Sequence, residues 1–151
     1  MTEHLVRLNV LVVDDEDDMC WTLRLVIESY GHRCVVAKSA REALQAVGRE
    51  SLQVAFVDVK LPDMLDRDGF DLVREIRSLV PELPCVLVSG FLYGDDDLVQ
   101  DSLASGLIAG FIGKPFLLSQ IQQVLDAVAG NRGSGGKPIP PGGIPSPPFP
   151  P

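Results

Sequence analysis

The sequence predicts an α/β protein: a doubly wound, five-stranded parallel sheet with five helices, in a single domain. Three observations carry that reading. Short apolar runs rich in β-branched residues alternate five times with longer segments whose apolar residues recur at helical spacing, the pattern of successive βα units. The strand runs lack a polar face, as strands do when helices cover both sides of a sheet. Right-handed crossovers then distribute the helices over the two faces.

The first strand is LNVLVV (8–13). The helix after it, roughly 17–30, sets Met19, Leu23, Val26 and Ile27 at helical spacing and stops at Tyr30-Gly31. RCVVA (33–37) is the second strand. Ser39 caps the next helix, whose apolar face is Ala43, Leu44 and Val47, and Glu42 stands three residues after Ser39 as a capping box requires. VAFVDV (54–59) is the third strand, and the helix over about 69–79 carries Leu72, Val73, Ile76 and Leu79 on one face. CVLVS (85–89) is the fourth strand, followed by a helix from about Asp95 to Ser105 with three aspartates at its positive end. GFIG (110–113) is the fifth strand and LLSQIQQVLDAVAG (117–130) the last helix, closed by Gly130. The domain therefore spans 1–130. The remainder, 131–151, is almost all Gly, Pro and Ser, buries too little apolar surface to order itself, and reads as a flexible tail or linker.

Composition narrows the function. No apolar run reaches the ~18 residues of a membrane span, and MTEHLVRLN lacks the apolar stretch of a signal peptide, so a cytoplasmic protein without membrane contact is expected. The net charge of −8 argues against direct nucleic-acid binding, which needs Lys and Arg clustered on one face. Cys20, Cys34 and Cys85 lie far apart inside apolar runs, and read as buried reduced thiols rather than metal ligands or a disulfide framework.

In a doubly wound sheet the ligand crevice lies beyond the C-terminal ends of the strands, so the polar residues at the strand exits are the candidates. The first strand delivers Asp14 and Asp15, the third Asp58 with Lys60 two residues on, the fourth Ser89, and the fifth Lys114 followed by Pro115. With strands 1, 3, 4 and 5 side by side, three carboxylates, a hydroxyl and an ammonium meet in one pocket. Two carboxylates ~4 Å apart repel by roughly 4 kcal/mol at the effective dielectric of a protein surface, so such a pocket calls for a cation. Carboxylate oxygens suit Mg²⁺, which takes few protein ligands, and a phosphoryl group can complete its shell while the ammonium and hydroxyl pair with the remaining oxygens. A central carboxylate can attack phosphorus to form an acyl phosphate; Asp58, on the middle strand, is the choice. Glu16, Asp17 and Asp18 read more simply as acidic residues at a helix N-terminus.

VVDDE (12–16), DVKLPD (58–63), SG (89–90) and KPF (114–116), in this order and spacing, resemble the receiver domain of bacterial two-component response regulators, over about residues 8–129. DMCW (18–21) and YGD (93–95) are similar, more particularly, to receivers that precede sigma-factor-dependent enhancer-binding activators. The resemblance implies the flavodoxin-like receiver fold and a role for each matching residue. Asp58 would be the phosphoacceptor. Asp15, Asp58 and the Lys60 backbone carbonyl would hold Mg²⁺ directly, with Asp14 acting through water. Ser89 would bond the phosphoryl group, Lys114 would pair with it, and Lys114–Pro115 would be a cis peptide. Phe111 would be the switch aromatic, turning into the space that Ser89 vacates and altering the surface of helix 4, strand 5 and helix 5. Without a hydroxyl, Phe111 would switch through packing alone; the alternative is a permanently buried ring. The partners implied are a sensor histidine kinase and a downstream protein or output domain, with a homodimer through the switched surface. The activity implied is Mg²⁺-dependent self-phosphorylation and autodephosphorylation, a signalling role rather than a metabolic one.

Three features depart from the family pattern. DMLDRD (63–68) makes the loop before Gly69 longer than usual, where a kinase approaches. Lys60 and Phe91 occupy positions that border the attacking water in the family, so a cation and a ring there bear on the lifetime of the acyl phosphate. Residues 91–111 depart from the usual A-x-x-x-G-A run, which makes the helix 4 surface atypical. Two other classes compete. A phosphatase of the haloacid-dehalogenase kind would use Asp15-Glu16-Asp17 as its D-x-D, but leaves Asp58 idle and has no cap domain. A pseudo-receiver would share the fold and serve only as an interaction module; the intact acidic residues, Ser89 and Lys114 count against it.

Overall fold

The computed structural model describes residues 6–64, 68–92 and 94–134, except for the side chains of 131–134. Ten elements alternate along the chain: β1 (Asn9–Val13), α1 (Asp17–Ser29), β2 (Arg33–Ala37), α2 (Ala40–Arg49), β3 (Val54–Asp58), α3 (Gly69–Leu79), β4 (Cys85–Ser89), α4 (Asp97–Ala104), β5 (Gly110–Gly113) and α5 (Leu118–Ser134). The strands form one parallel sheet in the order β2-β1-β3-β4-β5. The expected doubly wound fold is the observed one.

Side chains alternate between the faces of a strand, and the two faces build two apolar layers. Leu11, Val13, Ala55, Val57, Cys85 and Leu87 meet Ala43 and Val47 of α2, Leu72, Val73 and Ile76 of α3, and Val99 of α4. Val10, Val12, Val54, Phe56, Val86, Val88 and Ile112 meet Leu23 and Ile27 of α1 and Ile121, Val124, Leu125 and Val128 of α5. Every residue of β3 and β4 is buried, which explains their unbroken apolar runs. Each fully buried side chain of this size stabilises the fold by about 1.5–3 kcal/mol relative to exposure.

The helix ends follow local chemistry. Beyond α1, Gly31 takes φ +87° and donates to Glu28, while His32 donates to Ile27, closing the helix with a paired 5→2 and 6→1 cap. Ser39 Oγ accepts from the Glu42 N–H at the start of α2. Asp68 and Asp71 form a reciprocal capping box at α3, and Asp96 caps α4.

Four expectations need correction. The buried stripe of α1 is Cys20, Leu23 and Ile27, with Met19 and Val26 only partly covered at its flank. Leu44 of α2 is likewise only partly buried. Leu79, the last residue of α3, is 60% exposed, because Val80 and Leu83 close the core there. Helix α5 runs through Gly130 to Ser134. Gly130 does not take the left-handed conformation that ends a helix, whereas Gly31 and Gly106 do take positive φ, and glycine within a helix costs only about 1 kcal/mol relative to alanine. Most of the Pro-rich segment, 135–151, lies outside the described residues, as do 65–67 of the long loop and Tyr93. Among the described residues no helix is long and apolar enough to cross a membrane. The three cysteines are buried and free; burial pushes the Cys20 thiol up to about 11 and those of Cys34 and Cys85 up to about 12.

Candidate functional site

The sheet order sets β1, β3, β4 and β5 side by side, so four strand exits share one edge. Register aligns them: Val13 pairs with Val57 and Ser89 with Gly113, placing Asp14 level with Asp58 and Lys114 just past Ser89. The Lys114 N–H donates to the Ser89 carbonyl at 2.8 Å, and the Lys114–Pro115 peptide is cis.

Lys114 is the hub. Its Nζ lies 3.0 Å from Asp14 Oδ2, 3.6 Å from Asp58 Oδ2 and 3.8 Å from Glu16 Oε1. Asp14 and Asp58 are buried and Asp15 is exposed, yet each of the three offers an oxygen within 4.8 Å of the others. The second oxygen of Asp14 accepts the Glu16 N–H at 2.9 Å. Ser89 is buried, and its Oγ accepts the N–H groups of Phe91 and Leu92 at 2.9 and 3.0 Å. Its hydroxyl hydrogen remains available to donate.

Electrostatics shows what the site can hold. Burial pushes the Asp58 carboxyl up to about 6, helped by the charges of Asp14 and Asp15 and opposed by Lys114 and by a hydrogen bond from the Lys60 backbone. Burial pulls Lys114 down, but the hydrogen bond to Asp14 and the charges of Asp58, Asp14 and Glu16 outweigh it, so its net shift is upward and it stays cationic. One ammonium thus faces the carboxylates of Asp14, Asp58 and Glu16, and Asp15 adds a fourth beside Asp14 and Asp58. Hard oxygens at this spacing fit a divalent cation such as Mg²⁺, which would offset the mutual repulsion of Asp14, Asp15 and Asp58.

The remaining expected residues fall nearby. The Lys60 ammonium stands 4.1 Å from the centre of the Phe91 ring, a cation–π contact joining the loops after β3 and β4. Phe111 is half-buried against the layer formed with α2, α3 and α4, so it is not a fully buried core ring. Asp17 and Asp18 lie in the first turn of α1 as expected, and Asp17 pairs with Lys38. Glu16 does more than serve a helix terminus: it makes no side-chain cap and reaches Lys114 instead. Two residues went unnoticed in the sequence. Gly69 presses on the site from behind: a Cβ there would lie 2.6 Å from the Asp58 carbonyl oxygen and 2.8 Å from Val59 Cα. Asp63 spans to the start of α2, accepting from the Ala40 and Arg41 N–H groups at 2.9 and 3.0 Å. Gly69 stands where the long loop meets the apolar face of α3, and Asp63 closes DVKLPD (58–63), but neither position reveals in the sequence what it touches.

The model of the response regulator receiver domain matches residues 10–126. The chain belongs to that family. The receiver is 30% identical over 115 residues to the C4-dicarboxylate transport transcriptional regulatory protein DctD of Rhizobium meliloti, covering 76% of this chain and 24% of that protein. It is 26% identical over 127 residues to the transcriptional regulatory protein ZraR of Klebsiella oxytoca, covering 83% of this chain and 27% of that protein. The chain thus spans about a quarter of the length of these curated relatives. Among solved structures, the CheY-like receiver domain protein from Methanospirillum hungatei superposes with a TM-score of 0.74 at 22% identity, covering 87% of this chain and 100% of that one, a likeness of fold.

Proposed function

We propose that this receiver accepts a phosphoryl group on Asp58 from a sensor histidine kinase and relays the event through the surface of α4, β5 and α5. The observation that carries the reading is the reach of Lys114 to both Asp14 and Asp58 across the strand exits. An Asp58 carboxylate oxygen attacks the phosphorus of a phosphohistidine; the P–O bond forms, the P–N bond breaks, and its electron pair leaves with the imidazole. With a carboxyl near 6, most of Asp58 is ionised and nucleophilic at neutral pH. Asp14, Asp15, Asp58 and the Lys60 carbonyl would hold Mg²⁺, whose charge supports the transferring phosphoryl oxygens. Lys114 then pairs with the acyl phosphate, and the Ser89 hydroxyl donates to it. A Ser89 drawn towards phosphate loosens its grip on the Phe91 and Leu92 N–H groups, and Phe111 turns into the vacated space, a local charge change biasing a two-state element. Hydrolysis of the acyl phosphate by water resets the domain.

Because relatives of greater length are named transcriptional regulatory proteins, the partner that reads the switch is an output domain or downstream protein, with the Gly/Pro-rich residues after α5 as the linker and dimerisation through the switched face. The chain works in the cytoplasm and leaves nucleic-acid contact to its partner. Incubation with Mg²⁺ and a small phosphodonor, followed by intact mass measurement, tests the reading. A labile single-phosphate adduct that is lost in Asp58→Ala supports it. Phosphoester turnover through Asp15 would instead mark a phosphatase, and no adduct would mark an interaction module.

A further inference from the structure

We propose that Asp63 is a positioning residue for the cation site, clamping the loop after Asp58 onto the N-terminus of α2 so that the first turn of α2 and the filling of the site are coupled. This rests on the binding of Mg²⁺ at Asp58, Asp15 and the Lys60 carbonyl proposed above.

The first N–H groups of a helix have no partner within it. In α2 they are shared between two residues. Ser39 takes the Glu42 N–H on its hydroxyl and the Ala43 N–H on its carbonyl. The Ala40 and Arg41 N–H groups go to the two carboxylate oxygens of Asp63, 23 and 22 positions away along the chain. A carboxylate held by two N–H donors at a helix's positive end is a strong, directional anchor.

Asp63 belongs to the loop that leaves the phosphoacceptor. Leu61 and Met64 flank it and are buried in the layer that holds Ala40, Ala43 and Val47, and the Met64 N–H donates to the Leu61 carbonyl at 3.3 Å, closing a turn with Pro62 at its second position. Upstream, the Val59 N–H donates to the Val88 carbonyl at 3.3 Å and the Val59 carbonyl accepts the Gly69 N–H at 2.7 Å. Lys60 is thus suspended between a backbone anchor at Val59 and a side-chain anchor at Asp63. Its N–H already acts on the Asp58 carboxylate. Releasing Asp63 frees one end of that span, and a cation ligand on a freed span binds less well, as ligands do when their supporting partners are removed.

The test compares variants of the full chain that damage the same helix terminus in different ways. Ser39→Ala removes a cap from α2 and leaves the clamp; Asp63→Ala removes the clamp; Asp63→Asn retains one acceptor oxygen. Mg²⁺ affinity by titration calorimetry is read beside thermal stability. Asp63→Ala should bind Mg²⁺ about tenfold more weakly and Asp63→Asn should fall between it and wild type, while Ser39→Ala should stay within about twofold despite its lower melting temperature. By reciprocity, Mg²⁺ should slow hydrogen exchange at the Ala40 and Arg41 amides of wild type, and not in Asp63→Ala. Wild-type affinity in Asp63→Ala, or an equal loss in Ser39→Ala, overturns the clamp while leaving phosphate acceptance intact. A wild-type chain that binds no Mg²⁺ overturns the site reading, and the clamp with it.

Discussion

Lys114 and Asp14, one hundred residues apart in the chain, meet at 3.0 Å where β5 and β1 leave the sheet. The pair is largely shielded from water, with side-chain exposures of 15% and 3%, and Asp58 approaches the same ammonium from β3. Removing one member of a buried pair costs far more than a surface ion pair is worth, because the survivor keeps its desolvation penalty.

Lys114→Gln should therefore lower unfolding free energy by about 3 kcal/mol in Mg²⁺-free buffer. Urea denaturation measures it. Adding Mg²⁺ should recover more stability in the variant than in wild type, since the cation replaces the missing positive charge.

Asp58 should behave in the opposite sense. Its folded carboxyl titrates near 6 against an ordinary 3.8, so between those values the folded state binds the extra proton and stability falls as pH rises. At pH 7.5 without Mg²⁺, Asp58→Asn should thus be more stable than wild type by roughly 2–3 kcal/mol. The gain should vanish below about pH 4. A variant less stable than wild type at pH 7.5 would contradict the electrostatic account of the site.

His32 supplies a second pH dependence, far from the acidic edge. Its Nδ1 accepts the Leu8 N–H at 3.0 Å, and burial, aided by Arg7 and opposed by Asp126, holds the imidazole below its ordinary 6.5. The unfolded state then binds the proton first, so this contribution is complete above about pH 6.5 and is lost as pH falls below it. His32→Leu leaves the Leu8 N–H without its acceptor and should cost about 1–3 kcal/mol at pH 7.5. The step in stability below pH 6.5 should be smaller in the variant when melting curves are collected across that range.

Gly69→Ala drives a Cβ into the Asp58 carbonyl. The intruded atoms are backbone and cannot swing aside, so the exit of β3 must move. A loss of about 1–3 kcal/mol is expected, as for overpacking elsewhere, together with slower uptake of phosphate from a small donor. Normal uptake in a folded variant would show that the loop tolerates the displacement.

Most of the site was legible because a parallel sheet converts sequence into position. The residue that follows each apolar run must emerge at the same edge, so Asp14, Asp58, Ser89 and Lys114 could be grouped before any fold was seen, and the strand order brings them together. Contacts made by long side chains after the strands end were not legible. Glu16 reads as a helix-terminal charge until the path of Lys114 is known, and Asp63 is only the last residue of DVKLPD until α2 is found beside it. Helix limits failed where the signal was permissive. Gly130 can end a helix, but only a left-handed backbone makes it do so. On α1, an apolar thiol at Cys20 took the central place that spacing had divided between Met19 and Val26.

The central claim, that Asp58 carries the phosphoryl group, is tested most directly by trapping the acyl phosphate. Borohydride reduces an aspartyl phosphate to homoserine, and peptide mapping then reports its position. After treatment with Mg²⁺ and a small phosphodonor, homoserine should appear at position 58 and nowhere else. Homoserine at Asp14 or Asp15, or a phosphate adduct that yields none, would contradict the account.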